Sequence, residues 1–510
     1  MAEALPATTV VAVLGAGTMG AGIAHAAAAA GHRVLLYDTK PEVVDDALAQ
    51  LHERLDGSVA KGRLARSDAD RIAGAIAPVS SLDELGAAGL VIEAIVEDLG
   101  VKRAVFGELE SIVAADALLA TNTSSLSVTA IASALDRPER VVGMHFFNPA
   151  PIMPLVEIVT GAATDPAVAA AAQATAASWG KTPVHCASTP GFIVNRVARP
   201  FYSENLRLLQ EGAGDMATID GVLTGSAGFR MGPFALMDLV GLDVNLAVST
   251  SVYEQTYHDP RFAPNVLQKA KVDAGHLGRK TGTGWYAPAG EPPPPATMPK
   301  GTPASVIAVP ADMGHDEALA RRLSAAGIEI ERRPGLEHLV LAGLPLFLTD
   351  GRSAAEIAGD RGEPAIATLD LALDWDTADR AAVAASAGTS ASALATVAGT
   401  MQAAGFEVSH IGDVPGMIVM RTVAQLVSVA ADAAMTGVAR PEDIDTAMRL
   451  GTNYPGGPFE WADRIGVSRI VGVFDALHRF YGEDRYRCAA WLRTAHYEGV
   501  PLRALGASGS

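Results

Sequence analysis

The chain matches itself at a distance of 225 residues. Shifted by that amount, TPGFIVNR (189–196) falls on VPGMIVMR (414–421), Ile219-Asp220 on Ile444-Asp445, Gly232-Pro233-Phe234 on Gly457-Pro458-Phe459, Asp238 on Asp463 and Gly241 on Gly466. No gap is needed, so the match is a duplicated fold unit rather than a chance alignment of motifs. The first copy opens with GFIVNRVARPFYSENLRLLQEG, whose apolar residues recur at helical spacing. The chain therefore carries an all-α domain twice, over 187–287 and 411–510. A Pro-rich stretch, 288–303, reads as an extended linker between the halves. Residues 304–410 stand where a second α/β domain would be. They contain strand-like runs such as SVIAVP and HLVLAGLPLFL, but no glycine-rich loop and no counterpart of HFFNP, so they read as a degenerate α/β segment.

Residues 1–186 have a different texture. An apolar β-branched run ends at Gly15, an Ala-rich helical run follows, and RVLLYD ends at Asp38. That is strand, helix, strand, the opening of a Rossmann-type α/β domain. LVIEAIVE, ALLATNTSS, RVVGMHFFNP and LVEIV read as further buried strands of a largely parallel sheet. With 510 residues and 49% apolar composition the chain can bury several cores. Its 39 basic and 57 acidic residues leave a net charge of −18, which argues against a nucleic-acid partner. Residues 7–31 carry no Asp, Glu, Lys or Arg, but Gly15, Gly17, Gly20 and Gly22 interrupt them at a spacing that a nucleotide loop explains better than a membrane span. Two cysteines cannot build a disulfide framework, and a cytoplasmic setting fits.

Gly15, Gly17 and Gly20 form G-x-G-x-x-G between strand and helix. The first permits the tight turn, the second the approach of a pyrophosphate, the third close packing of helix on strand. Asp38 ends the second strand, where a carboxylate accepts from both ribose hydroxyls and repels a 2′-phosphate. The pattern favours NAD over NADP; FAD proteins share the glycines. His145 follows an apolar strand, and Glu157 lies inside another. A carboxylate in an apolar strand needs a partner, and a histidine is a natural one. Such a pair makes a general base. The same pattern also fits a satisfied core histidine beside an edge-strand glutamate. No clustered His/Cys set points to a metal.

GAGTMG, VIEAIVED, NTSSLS, HFFNP, LVEIV, PGFIVNR and GRKTGTGWY occur in this order. Together they resemble the 3-hydroxyacyl-CoA dehydrogenase family, and the duplicated helical domain resembles its long bacterial form associated with phenylacetate degradation. The resemblance implies NAD-dependent oxidation of an (S)-3-hydroxyacyl-CoA thioester, with 3-hydroxyadipyl-CoA or 3-hydroxybutyryl-CoA as substrate. It implies His145 as base and Glu157 as its partner acid, with Ser124 and Asn195 on the substrate oxygens. Glu97, Lys102, Asn148 and Lys280 match cofactor contacts, and Lys61 a coenzyme A contact. Alternatives are a non-catalytic NAD-binding scaffold and a dehydrogenase of small free hydroxy acids. The second copy keeps packing residues but has Met420 where the first has Asn195, which suggests an internal pseudo-dimer of helical domains and leaves room for a homo-oligomer.

Overall fold

A computed structural model describes residues 3–287 and 292–509; the first residues of the expected linker, 288–291, lie outside the described residues. The chain forms two units. One comprises the described residues up to Arg196 together with Gly437–Thr452, the other Val197–Thr436 with the described residues from Asn453 onward.

The first unit is built on β1 (Val10–Leu14), β2 (Val34–Tyr37), β3 (Ile76–Pro78), β4 (Ala88–Glu93), β5 (Leu118–Thr121), β6 (Val141–Phe146), β7 (Leu155–Thr160) and β8 (Thr182–Ala187). Their order in space is β3-β2-β1-β4-β5-β6-β7-β8, and only β6 and β7 run antiparallel. Runs such as VVAVL and LVIE are apolar at successive positions because a parallel sheet is covered on both faces. The strand order reverses between β1 and β4, which opens a crevice at the carboxyl ends of these strands. This is the Rossmann-type domain expected from the sequence.

The second unit carries β9 (Val306–Pro310), β10 (Glu329–Arg333), β11 (Leu339–Leu341), β12 (Leu344–Leu348), β13 (Ala367–Leu369), β14 (Arg380–Ala385) and β15 (Glu407–His410), in the order β10-β9-β11-β12-β13-β14-β15. HLVLAGLPLFL is a hairpin of β11 and β12 that turns on Ala342 (φ 50°) and Gly343 (φ 83°), two successive positive φ values that suit a tight two-residue turn. The pairings β12/β13, β13/β14 and β14/β15 are parallel, antiparallel and parallel, as are β5/β6, β6/β7 and β7/β8.

The 225-residue register therefore extends back into the α/β parts. β14 falls on β7 residue for residue, helix Ala391–Ala403 on helix Pro166–Ser178, helix Pro441–Thr452 on helix Met216–Ala227, and helix Pro458–Ile465 on helix Pro233–Val240. The duplication is also reciprocal in its contacts. Ala187 N donates to Val438 O at 2.8 Å in the first unit, and Gly412 N donates to Ala213 O at 2.8 Å in the second. These are the same bond with the halves exchanged, the signature of an isologous contact. Likewise helix Pro441–Thr452 packs on β7 and β8, whereas its counterpart Met216–Ala227 packs on β14. Each sheet is thus covered in part by a helix from the other half of the chain. The sequence reading drew 411–510 as one block; one of its helices belongs with the first unit.

Within the second unit, helix Arg199–Gln210 lies along helix Val419–Met435. The latter is buried from Val419 to Ala434, polar residues included, as a central helix must be. Its Arg421 donates to Glu204 at 2.9 Å, Arg485 donates to the same carboxylate, and Asn205 Nδ2 donates to Thr422 Oγ1 at 3.1 Å. The Pro-rich stretch is extended but pinned. Met298 N donates to Val408 O at 2.7 Å and Ser409 Oγ to Ala296 O at 2.8 Å, so it runs along β15. Among the described residues no single helix is long and apolar enough to cross a membrane.

Candidate active site

The glycine loop follows β1. Gly15 has φ +92°, and a Cβ there would meet Ala94 O at 2.4 Å; a Cβ on Gly20 would meet Gly15 O at 1.7 Å. Both positions are closed to any side chain. Gly17 differs: a Cβ there would meet nothing within 4 Å, and Gly17 is the N-cap of helix Thr18–Ala29. Open space over a bare Cα at a helix N-terminus is where backbone N–H groups take a pyrophosphate. Asp38, beyond β2, is half-buried and already tied to this loop. Its Oδ2 accepts from Ala16 N at 2.8 Å and its Oδ1 from Lys40 N at 3.0 Å. A carboxylate so held keeps lone pairs for a ribose diol. The residues fit NAD.

The ends of β4 and β5 carry a buried charge cluster. Glu93 is fully buried and Lys102 is 1% exposed, with Nζ 2.6 Å from Glu93 Oε1 and 3.2 Å from Glu97 Oε2. Glu93 also accepts from Ile95 N at 2.8 Å and Thr121 Oγ1 at 2.8 Å. Glu97 caps the NTSS turn, accepting from Thr123 Oγ1 at 2.6 Å, Ser124 N at 3.0 Å and Ser125 N at 3.1 Å. Burial works against the charge on Glu97, but Lys102 and the Thr123 and Ser125 hydroxyls outweigh it and hold the carboxyl below its usual range. Lys102 therefore sits behind Glu97, fixing the turn that presents Ser124. The sequence reading missed Glu93. The criterion that singled out Glu157, a carboxylate on an apolar strand, applies equally to LVIE.

The antiparallel pairing of β6 and β7 sets His145 directly opposite Glu157. His145 Nδ1 lies 2.6 Å from Glu157 Oε2; a carboxylate oxygen can only accept, so Nδ1–H donates. Glu157 is fully buried, and its Oε1 accepts from Ile193 N at 3.0 Å and Val194 N at 2.9 Å. One carboxylate thus orients the imidazole and closes the PGFIV turn. The His145 ring packs on Phe147 and Phe192, with centroids at 4.6 and 5.8 Å. Asn195 Nδ2 stands 3.5 Å from Ser124 O, so Ser124 and Asn195 are neighbours. Asn122, also unanticipated, accepts from Phe146 N at 2.8 Å and ties the end of β5 to that of β6.

The structure thus gathers Gly15, Gly17, Gly20 and Asp38 at one part of the sheet's carboxyl edge, and Glu97, Lys102, Ser124, His145, Glu157 and Asn195 at another. Asn148 is exposed on the loop after β6, and Lys61 is exposed at the C-terminal end of helix Pro41–Ala60. Lys280 belongs to the second unit, where its Nζ lies 2.6 Å from Asp243 Oδ1. Among the described residues no group of three or more His, Cys, Asp or Glu could hold a metal ion.

In the second half the 225 shift puts Asp370 at the histidine position and Ala382 at the glutamate position. Asp370 is buried and closes the PGMIV turn itself, accepting from Ile418 N at 2.9 Å, Val419 N at 2.8 Å and Met420 N at 3.1 Å. Burial pushes its carboxyl up to about 6, against the pull of these donors. The second half has no imidazole here.

Residues 10–189 match the family described as 3-hydroxyacyl-CoA dehydrogenase, NAD binding domain, and residues 191–288 and again 416–507 match its C-terminal domain. The chain belongs to the 3-hydroxyacyl-CoA dehydrogenase family. Like other members, it is an NAD-dependent oxidoreductase. Residues 346–415 match the 3-hydroxybutyryl-CoA dehydrogenase reduced Rossmann-fold domain, which covers the degenerate segment from residue 346 on. The family's 3-hydroxyadipyl-CoA dehydrogenase of Escherichia coli K12 is 42% identical over 483 residues, 95% of this chain and 96% of that protein. A 3-hydroxybutyryl-CoA dehydrogenase of Clostridioides difficile is 39% identical over 275 residues, which cover 98% of it but 54% of this chain. Among solved structures, a 3-hydroxybutyryl-CoA dehydrogenase from Escherichia coli K12 superposes with a TM-score of 0.89 at 40% identity, covering 96% of this chain and 98% of that one.

Proposed function

We propose that this 3-hydroxyacyl-CoA dehydrogenase oxidises the C3 hydroxyl of (S)-3-hydroxyacyl-CoA to the 3-oxoacyl-CoA, with a 3-hydroxyadipyl or 3-hydroxybutyryl chain. The observation that carries this reading is the 2.6 Å bond between His145 Nδ1 and Glu157 Oε2. It commits one ring nitrogen to the carboxylate, so Nε2 is left to take the proton of the 3-hydroxyl. Glu157 offsets the positive charge that forms on the ring, and its two backbone donors keep it from turning away. Ser124 and Asn195 hold the substrate oxygen in line. The glycine loop and Asp38 hold NAD, which when bound supplies the acceptor for the C3 hydride. Glu97, positioned by Lys102, borders the same turn as Ser124 and serves the nicotinamide side together with Asn148. Lys280 is assigned to the cofactor and Lys61 to coenzyme A. General acid–base transfer of this kind contributes about 10²–10⁴-fold.

The two helical copies form an internal pseudo-dimer in this reading. Supporting it are the exchanged hydrogen bonds of Ala187 with Val438 and Gly412 with Ala213, and the Glu204–Arg421–Arg485 cluster between the copies. A cytoplasmic setting is supported by two unpaired thiols, Cys186 and Cys488.

The test is the loss of NADH absorbance on addition of acetoacetyl-CoA. Turnover with NADH and little with NADPH is expected. Absence of turnover with acetoacetyl-CoA, alongside turnover of a free 3-oxo acid, would overturn the thioester assignment.

A further inference from the structure

The helix Pro441–Thr452 comes from the second copy yet packs on β7 and β8. Near its end stands Gly451, where a Cβ would meet Leu155 Cδ2 at 2.7 Å, Val194 Cγ2 at 3.0 Å and Phe147 Cε1 at 3.7 Å. These neighbours are not ordinary core residues. Val194 supplies one of the N–H groups that hold Glu157, and Phe147 packs its ring on His145. Leu155 lies two residues before Glu157 on the same strand. A side chain at Gly451 would thus reach both arms of the His145–Glu157 pair, crowding the carboxylate's turn at Val194 and coming into contact with Phe147 beside the imidazole.

Glycine is a poor helix former, so its presence in the last turn calls for a packing reason. The duplication supplies the comparison. The counterpart of Gly451 is Ser226, on the helix that packs on β14. Ser226 is buried, and its Oγ donates to Arg380 O at 2.9 Å. In the half without an imidazole, the same helix position carries a side chain that grips the strand. In the half with the His–Glu pair, the side chain is gone and the helix backbone comes up against the residues that frame the pair.

We infer that helix Pro441–Thr452, supplied by the second copy, is a positioning element of the His145–Glu157 pair, acting through Gly451 on Phe147 and Val194. This rests on the dehydrogenase reading above. It assigns the duplicated half a part in the reaction: a chain lacking it would keep every reacting side chain but lose the surface that fixes the base.

The test compares Gly451→Ala and Gly451→Val with Gly225→Ala in the full chain. Gly225 immediately precedes Ser226, the counterpart of Gly451, and also packs on the start of β14, where a Cβ would meet Asp379 Oδ1 at 2.4 Å and Arg380 Cβ at 2.6 Å, a harder clash than at Gly451. A merely structural role predicts that Gly225→Ala does the greater damage to everything. The positioning role predicts a split. Gly451→Val lowers kcat about tenfold or more and Gly451→Ala about threefold, as small misplacements of a catalytic base do, with the Kd for NADH unchanged. Gly225→Ala lowers Tm and leaves kcat within about twofold. Val194→Ala added to Gly451→Val makes room for the new side chain and restores part of kcat. If Gly451→Val does not fold, Gly451→Ala decides, since its nearest contact is the movable end of Leu155. A folded Gly451→Ala with wild-type kcat, or a Gly225→Ala that loses as much kcat, overturns the inference. A wild-type chain inactive on acetoacetyl-CoA overturns the dehydrogenase reading instead, so the two failures are distinct.

Discussion

Glu157→Gln separates the two duties of the buried carboxylate. Glutamine keeps one carbonyl oxygen, which can still accept from Ile193 N and Val194 N, now 3.0 and 2.9 Å from Oε1. Its amide NH₂ then faces His145 Nδ1, where Oε2 stands at 2.6 Å. An amide donor facing Nδ1 forces the ring proton onto Nε2, and an Nε2–H cannot accept the substrate's proton. The ring stays in place with the wrong tautomer. Loss of general-base action plus loss of the counter-charge should lower kcat by about 10³–10⁴-fold, the scale seen when an orienting carboxylate is neutralised. Stability should fall by only about 1–3 kcal/mol, one charge-assisted bond being replaced by a neutral one. Glu157→Ala should cost similar activity but more stability, because two buried N–H groups then lose their acceptor at about 1–3 kcal/mol each. The assay is NADH consumption with acetoacetyl-CoA, with urea unfolding of both variants. Glu157→Gln with kcat within tenfold of wild type would refute the tautomer argument; equal stability of the Gln and Ala variants would refute the structural half.

Asp38→Ser should weaken NADH binding and relieve repulsion of a 2′-phosphate, so the ratio of kcat/KM for NADH over NADPH should fall by at least about tenfold; an unchanged ratio removes Asp38 from the ribose. Glu204 is fully buried, and although burial opposes its charge, Arg485 and Arg421 bring its carboxyl down from 4.5 to about 2. A folded-state value below the unfolded one means this stabilisation, about 3 kcal/mol, is complete above pH 4.5 and is lost as pH falls toward 2. Glu204→Gln should accordingly be less stable at pH 7, with the difference shrinking in acid, as unfolding curves from pH 7 to 3 would read. Truncation after residue 290 removes helix Val419–Met435 from Arg199–Gln210 and helix Pro441–Thr452 from β7 and β8. The product should dimerise or aggregate, as light scattering on a sizing column would detect; a truncated chain that stays monomeric, soluble and fully active contradicts the pseudo-dimer.

The parts legible in the sequence are those in which a local pattern carries the physics. Gly15, Gly17 and Gly20 are spaced for one turn, and the structure leaves no room at the first and third and open space at the second. His145 and Glu157 are near in sequence and joined by an antiparallel pairing, so a charged residue on an apolar strand pointed to its partner. What stayed hidden depends on contacts without local periodicity. Lys102 in IVEDLGVK reads by resemblance as a cofactor contact, and nothing around it announces that its ammonium is buried between Glu93 and Glu97. Gly451 stands in the last turn of a helix from the far half of the chain, where a Cβ would meet Leu155 and Val194, a meeting no pattern around residue 451 announces. The repeat was legible only in the helical domains, where its motif residues form turns and helix starts or, like Asp220, bond the backbone N–H groups at them. In the sheets it survives as register, with β14 on β7, while the side chains have changed.

That change of side chains bears on how the His145–Glu157 pair is built. Both halves contain a P-G-x-I-V turn with a residue at positive φ after its glycine, Phe192 at 47° and Met417 at 53°. Both bury that turn's N–H groups, and buried donors must be met. In the second half Asp370 meets them from the end of β13, and the facing position on β14 is Ala382. In the first half the carboxylate stands one strand over, on β7, and the longer glutamate reaches both the turn and a histidine placed where the aspartate would be. His145 is thus an imidazole inserted beside a carboxylate the fold requires in any case. The fixed bond that orients His145 follows from that structural demand: Glu157 cannot rotate away without stranding Ile193 and Val194. The same reasoning makes Asp370 a carboxylate of structure alone, whose loss should weaken folding and leave the chemistry at His145 intact.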